Sequence, residues 1–173
     1  MNSTVKLYSL SYGNYKTYLF AIMFVIGNVL FPQLCHLISN GGYIFLPIYF
    51  FTLIGSYKYG WKVGLLTAVA SPLVNHLLFG MPPTAVLPSI MIKSVLLAFA
   101  ASLISSRYKT VTLLHLLTVV ILYQGIGSLI ESGILMSLSK GFQDFRIGIP
   151  GMLLQIFGGY TFIKYLLNFS NKD

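Results

Sequence analysis

Charge is scarce in this chain. Asp, Glu, Lys and Arg make up 8% of its 173 residues, against about 25% in an ordinary soluble domain. Carboxylates are the scarcest of all, three acidic residues facing eleven basic ones. Apart from Asp173 only Glu131 and Asp144 are acidic, so paired-carboxylate chemistry has little to draw on. Cys35 is the single cysteine, which excludes an intrachain disulfide and a cysteine metal cluster. There is no nucleophile with a base at motif spacing, no HExxH and no phosphate-binding loop with its lysine. A Glu131 and His76 acid–base pair is conceivable, but nothing singles it out. The expectation is therefore no catalytic residue, no metal and no cofactor held by this chain. A net charge of +8 would suit nucleic acid, but the basic residues form no Lys/Arg-rich patch. Residues 1–15 lack the pattern of a cleavable signal peptide, so the first apolar stretch is expected to stay in the mature protein.

Apolar runs are what the chain has instead. Hydrophobic residues make up 56% and the mean hydropathy is +0.81, with no segment left over for a separate soluble domain. The sequence predicts one all-α integral membrane domain over residues 1–173, a six-helix bundle with spans at about 17–38, 43–57, 61–80, 85–104, 112–138 and 148–167. No strand-like alternation supports a barrel, and apolar spans in lipid must satisfy their backbone internally, so they are helices. The second span is short and the fifth long for a bilayer, which predicts tilt or a kink in each. Turns are marked by Asn40-Gly41-Gly42, Gly80-Met81-Pro82-Pro83, Ser105-Ser106-Arg107 and Lys140-Gly141.

Positive charge is retained on the cytoplasmic side. Six spans with both termini cytoplasmic put Lys6, Lys16, Lys58, Lys62, Arg107, Lys109, Lys164 and Lys172 inside, and only Lys140 and Arg146 outside. Tyr12, Tyr15, Tyr18, Tyr57, Tyr59, Trp61, Tyr108 and Tyr165 fall at the same inner boundary, as an interfacial aromatic belt. Small residues at four-residue spacing, Gly60, Gly64 and Ala68, and then Ala98 and Ser102, fit close helix packing within the bundle or a face for another membrane subunit.

A charged side chain inside hydrocarbon costs about 3 kcal/mol or more unless it is paired or faces a polar cavity. Lys93 lies eight residues from the outer end of the fourth predicted span, Glu131 seven from that of the fifth and Gln155 seven from that of the sixth. At about 1.5 Å per residue all three sit some 10 to 12 Å below the outer surface. Asn28, Tyr49, Asn75 and His36 add hydrogen-bonding groups to the same half. That asymmetry predicts a pocket open to the outside rather than a through-pore, walled by Phe31, Tyr43, Phe45, Tyr49 and Phe79. For Lys93 and Glu131 the alternative is an ion pair that fixes helix register.

Phe45-Leu46-Pro47, Gly60-Trp61-Lys62-Val63-Gly64-Leu65-Leu66 and Ser71-Pro72-Leu73-Val74-Asn75-His76-Leu77-Leu78-Phe79-Gly80-Met81-Pro82-Pro83 resemble the substrate-binding S component of energy-coupling factor (ECF) transporters. The likeness is strongest over residues 41–105. It implies a multi-pass protein of a bacterial or archaeal cytoplasmic membrane that binds a vitamin or related micronutrient from outside. It also implies a transmembrane coupling subunit and two cytoplasmic ATPases as partners, with ATP used by them. The substrate would be held by Lys93, Glu131, Gln155, Asn28, Tyr49, Asn75 and His36 and closed in by a gating loop at Met81, Pro82 and Pro83. Two departures stand out. The Ala-x-x-x-Ala of the family's first helix is here Ala21 followed by Val25, and the histidine and glutamate of relatives with the same loop are replaced by Ile48 and Lys93. A carboxylate or phosphate facing Lys93 is the substrate feature this suggests. A structural membrane scaffold of the rod-shape-determining type and a small membrane-embedded enzyme are the competing readings.

Overall fold

The computed structural model describes residues 10–170, and these contain ten α-helical stretches, two further helical turns and no β-strand. Lys6 and Lys172 of the charge count lie outside them. Four helices are long and apolar enough to cross a membrane: α1 (Tyr15–Cys35), α4 (Trp61–Phe79), α5 (Leu87–Tyr108) and α6 (Leu113–Ile134). Their outward faces carry Leu19, Ile22, Ile26 and Leu30 on α1 and Leu117, Ile121, Ile126 and Leu129 on α6, all exposed. An apolar surface that large is unfavourable in water and suits lipid. The chain is an all-helical membrane protein.

Local signals start and stop these helices. The Asn14 side chain accepts from Lys16 N–H at 3.0 Å and Thr112 Oγ1 from His115 N–H at 3.1 Å, capping α1 and α6. Gly80 ends α4 at φ +66°, a conformation that glycine adopts without strain. The predicted boundaries of α4 differ from the observed ones by a residue, but α5 begins and ends later than expected. The fifth predicted span is not a long kinked helix: α6 stops at Ile134, Met136 takes a positive φ, and Ser137 caps the short α7 (Leu138–Gly141).

The second predicted span is broken. It consists of α2 (Gly41–Phe45), a 3-10 turn (Pro47–Tyr49) and α3 (Phe50–Tyr59). Leu46, the residue before Pro47, sits at φ +46° in the left-handed region and ends α2. Helix α3 is buried at every position but Phe51 and packs against α1, α4, α5 and the C-terminal helix. It is the axis of the bundle. Tyr57 and Tyr59, expected in the interfacial belt, are instead core residues: Tyr57 is fully buried and donates to Thr110 C=O at 2.7 Å, and Tyr59 stacks on Phe20. The small residues serve packing inside the bundle. Gly64 lies against Ser56 of α3, and Ser102 Oγ donates to the Ser56 carbonyl at 3.3 Å.

The last part of the chain is α8 (Gln143–Ile147), α9 (Ile149–Leu153), a π-helical turn (Leu154–Gly158) and α10 (Gly159–Ser170). From Ile149 these follow one another without a gap, about 33 Å of helix at the usual rise. Gly151 of α9 packs directly on the backbone of Phe45, fastening this segment to α2.

Candidate functional site

Lys93, on the second turn of α5, is 2% exposed. Its ammonium is ion-paired with Glu131 of α6 and, at 2.8 Å, with Asp144 of α8. The stem of Lys93 reaches these partners by lying against Gly127, where an added Cβ would come within 2.6 Å of Lys93 Cγ. Three elements thus meet at one charge. The two carboxylates retain 13% and 14% of their side-chain exposure, more than the lysine between them.

Asp144 was not anticipated as a site residue. The only signal available was its rarity, since it lies in what reads as an outer connection. The fold-back of α7 and α8 over the end of α6 brings it onto Lys93. Glu131 is three residues from the end of α6, whereas Lys93 and Gln155 are each six residues from the starts of α5 and α9; the ion pair brings the Lys93 and Glu131 charges to one point.

A second polar group surrounds Tyr123. Its hydroxyl donates to Gln155 Oε1 at 2.8 Å and accepts from Gln124 Nε2 at 3.1 Å, and its ring is 5.4 Å from that of Tyr49. Gln155 sits in the π-helical turn, a feature that recurs at functional sites.

Asn28 and Asn75 form a third group with a structural task. Pro32 has no N–H for the carbonyl four residues earlier, so Asn28 C=O is left free inside α1, and Asn75 Nδ2 donates to it at 2.9 Å. The Asn28 side chain accepts from Phe51 N–H at 3.1 Å, one of the unpaired donors at the start of α3, and donates to Thr52 and Ser71. Both hydrogens of its amide are used. The structure does not gather all seven expected residues around one cavity. The asparagines share no hydrogen bond with the Lys93 cluster, and His36 is exposed at the C-terminal cap of α1.

The expected walls separate too. Phe31 packs into an aromatic cluster with Phe50 and Phe51, while Tyr43 and Phe79 are about half exposed. Met81, Pro82 and Pro83 lie in an exposed loop held down by His76, whose Nδ1 is 2.7 Å from the Pro82 carbonyl, and nothing joins His76 to Glu131.

Six buried side-chain atoms have no protein partner among the described residues: Asn75 Oδ1, Ser89 Oγ, Ser94 Oγ, Gln124 Oε1, Ser128 Oγ and Gln155 Nε2. Unpaired buried polar atoms cost about 1–3 kcal/mol each, and here they come from α4, α5, α6 and the π-helical turn. No group of three His, Cys, Asp or Glu side chains suitable for a metal occurs among the described residues. No protein-family model, curated protein or solved structure matches the chain.

Proposed function

We propose that this protein is the substrate-binding component of an ECF-type importer, capturing a small micronutrient from the outside of a bacterial or archaeal cytoplasmic membrane. The observation that carries the reading is the buried Lys93–Glu131–Asp144 cluster, with buried polar atoms that lack protein partners on the same helices, among them Ser89, Ser94 and Ser128. A cluster that served register alone would need only one carboxylate per lysine. Charged groups at such depth are retained where a ligand or transport step uses them. In this reading the chain crosses the membrane six times, α2–α3 and the α9–α10 segment supplying the second and sixth crossings, with both termini inside. A transmembrane coupling subunit and two ATPases complete the transporter and use the ATP.

The ligand set implied here differs from the one the sequence suggested: Asp144 and Tyr123 enter, and Asn28 and His36 leave. Glu131, Asp144 and Lys93 form its charged part, and Gln155, Tyr49 and Tyr123 an amide and aromatic part. Asn75 offers one free acceptor, whereas Asn28 is spent on the fold. The loop at Met81 to Pro83, pinned by His76, is the gate.

Native mass spectrometry of the protein purified in mild detergent tests the reading. A stoichiometric small molecule that survives purification, and capture of the ATPase module by co-expressed tagged protein, are the expected results. A chain that carries no small molecule and engages no ATPase favours the scaffold reading. Orientation is tested in a Cys35→Ser background: Lys140→Cys should react with an impermeant maleimide from outside and Arg107→Cys should not.

A further inference from the structure

The sequence alone directs attention to Lys93 as a receptor for an anion. The charges around it argue for the opposite. Lys93 contributes one positive charge, Glu131 and Asp144 contribute two negative ones, and no other cation is ion-paired with these carboxylates among the described residues. Arg146, the nearest basic residue in sequence to Asp144, is exposed and donates to Ser139 instead. An unbalanced negative charge inside a membrane protein is costly. A proton or a bound cation at the carboxylates removes the cost.

Access points the same way. A molecule arriving from solvent meets the two carboxylates, at 13% and 14% exposure, before it meets Lys93 at 2%. An anion would face like charge and would have to strip Lys93 of partners it already holds. The unpaired buried atoms are mostly able to accept. Ser89 is one turn from Lys93 on the same face of α5, and Ser128 is one turn from Glu131 on the same face of α6, beside the glycine that supports the Lys93 stem. Both serines are at most 1% exposed and unpaired. Gln124 Oε1 is a further acceptor without a donor.

We propose that the Glu131–Asp144 end of this cluster takes an organic cation, an ammonium or positively charged nitrogen heterocycle, which donates to the two carboxylates and completes the charge balance with Lys93. The inference rests on the reading of the chain as a small-molecule capture protein.

The full-length chain in lipid nanodiscs is tested by thermal shift and native mass spectrometry. The probes are thiamine and pyridoxamine as cations, nicotinamide and riboflavin as neutral molecules, and nicotinate, pantothenate and biotin as anions. A cationic probe is expected to bind at least about tenfold more tightly than every anionic one. Glu131→Gln, which leaves the Lys93–Asp144 pair intact, should weaken it by about 10- to 100-fold, the range for losing one charged hydrogen bond. Asp144→Asn should act in the same direction, keeping the test open if either variant folds poorly. Retention of a neutral or anionic probe in place of the cations overturns the charge assignment and leaves small-molecule capture standing. Retention of no probe, with nothing co-purifying, overturns both.

Discussion

Lys93→Met is the substitution most revealing of the cluster. It removes the positive charge and keeps the length and apolar character of the stem, so the packing on Gly127 is retained. What it leaves is two carboxylates, drawn to one point by Lys93 and each less than 15% exposed, with no counter-charge. Breaking a buried ion pair by removing one partner costs about 3–5 kcal/mol. Removing both carboxylates as well, in Lys93→Met/Glu131→Met/Asp144→Leu, replaces the cluster by apolar groups of similar size. Such replacements run from neutral to about 1–4 kcal/mol stabilising. The triple variant is therefore expected to recover most or all of the stability that the single variant loses. Reversible unfolding in mixed micelles, followed by circular dichroism against the mole fraction of denaturing detergent, reads both. The reasoning is refuted if Lys93→Met lies within about 0.5 kcal/mol of the parent, or if the triple variant is no more stable than the single one.

Three other perturbations probe how the site is held. Gly127→Ala places a methyl group 2.6 Å from Lys93 Cγ and should cost about 1–3 kcal/mol by overpacking in the same unfolding assay; an unchanged midpoint would mean that the Lys93 stem runs elsewhere. Asn75→Leu should lose about 1–3 kcal/mol by leaving the Asn28 carbonyl unpaired. In a Pro32→Ala background, where a backbone N–H can take that carbonyl, the loss should shrink by about 1 kcal/mol, and strict additivity in the double-mutant cycle would rule out the proposed division of labour. Gly151→Ala drives a methyl group into the Phe45 backbone, which cannot yield as a side chain can, so a loss of about 3 kcal/mol and a reduced yield of monodisperse protein are expected; a parent-like melting profile would contradict the contact.

The long helices were legible because lipid imposes a simple rule. Apolar runs bounded by Asn14, Gly80 and Thr112 must pair their backbones internally, and α4 follows the sequence expectation almost residue for residue. The break at Leu46-Pro47 was legible only as an unlocated tilt or kink, because the second span is short for a bilayer. Helix ends were less legible. Counting from assumed span ends put Glu131 seven residues in from the end of its helix, but an apolar run does not announce where its helix stops, and Met136 at positive φ ends α6 before the hydropathy does. Asn28 shows the same limit from another side. A buried amide reads equally well as a ligand contact or a cap, and only the position of Phe51 N–H decides between them.

By itself the sequence determined that this chain is an all-helical membrane protein with a lysine buried where a bare charge is intolerable, because hydropathy and the cost of burial act on each residue wherever its neighbours are. Tertiary structure alone decided what neutralises that lysine. Asp144 lies 51 residues away in the chain, in a stretch too polar and too short to read as part of the bundle, and it reaches Lys93 only because α8 folds back over α6. That contact turns an apparent anion receptor into a cluster with one negative charge to spare, since the sign of a site is set by everything that converges on it.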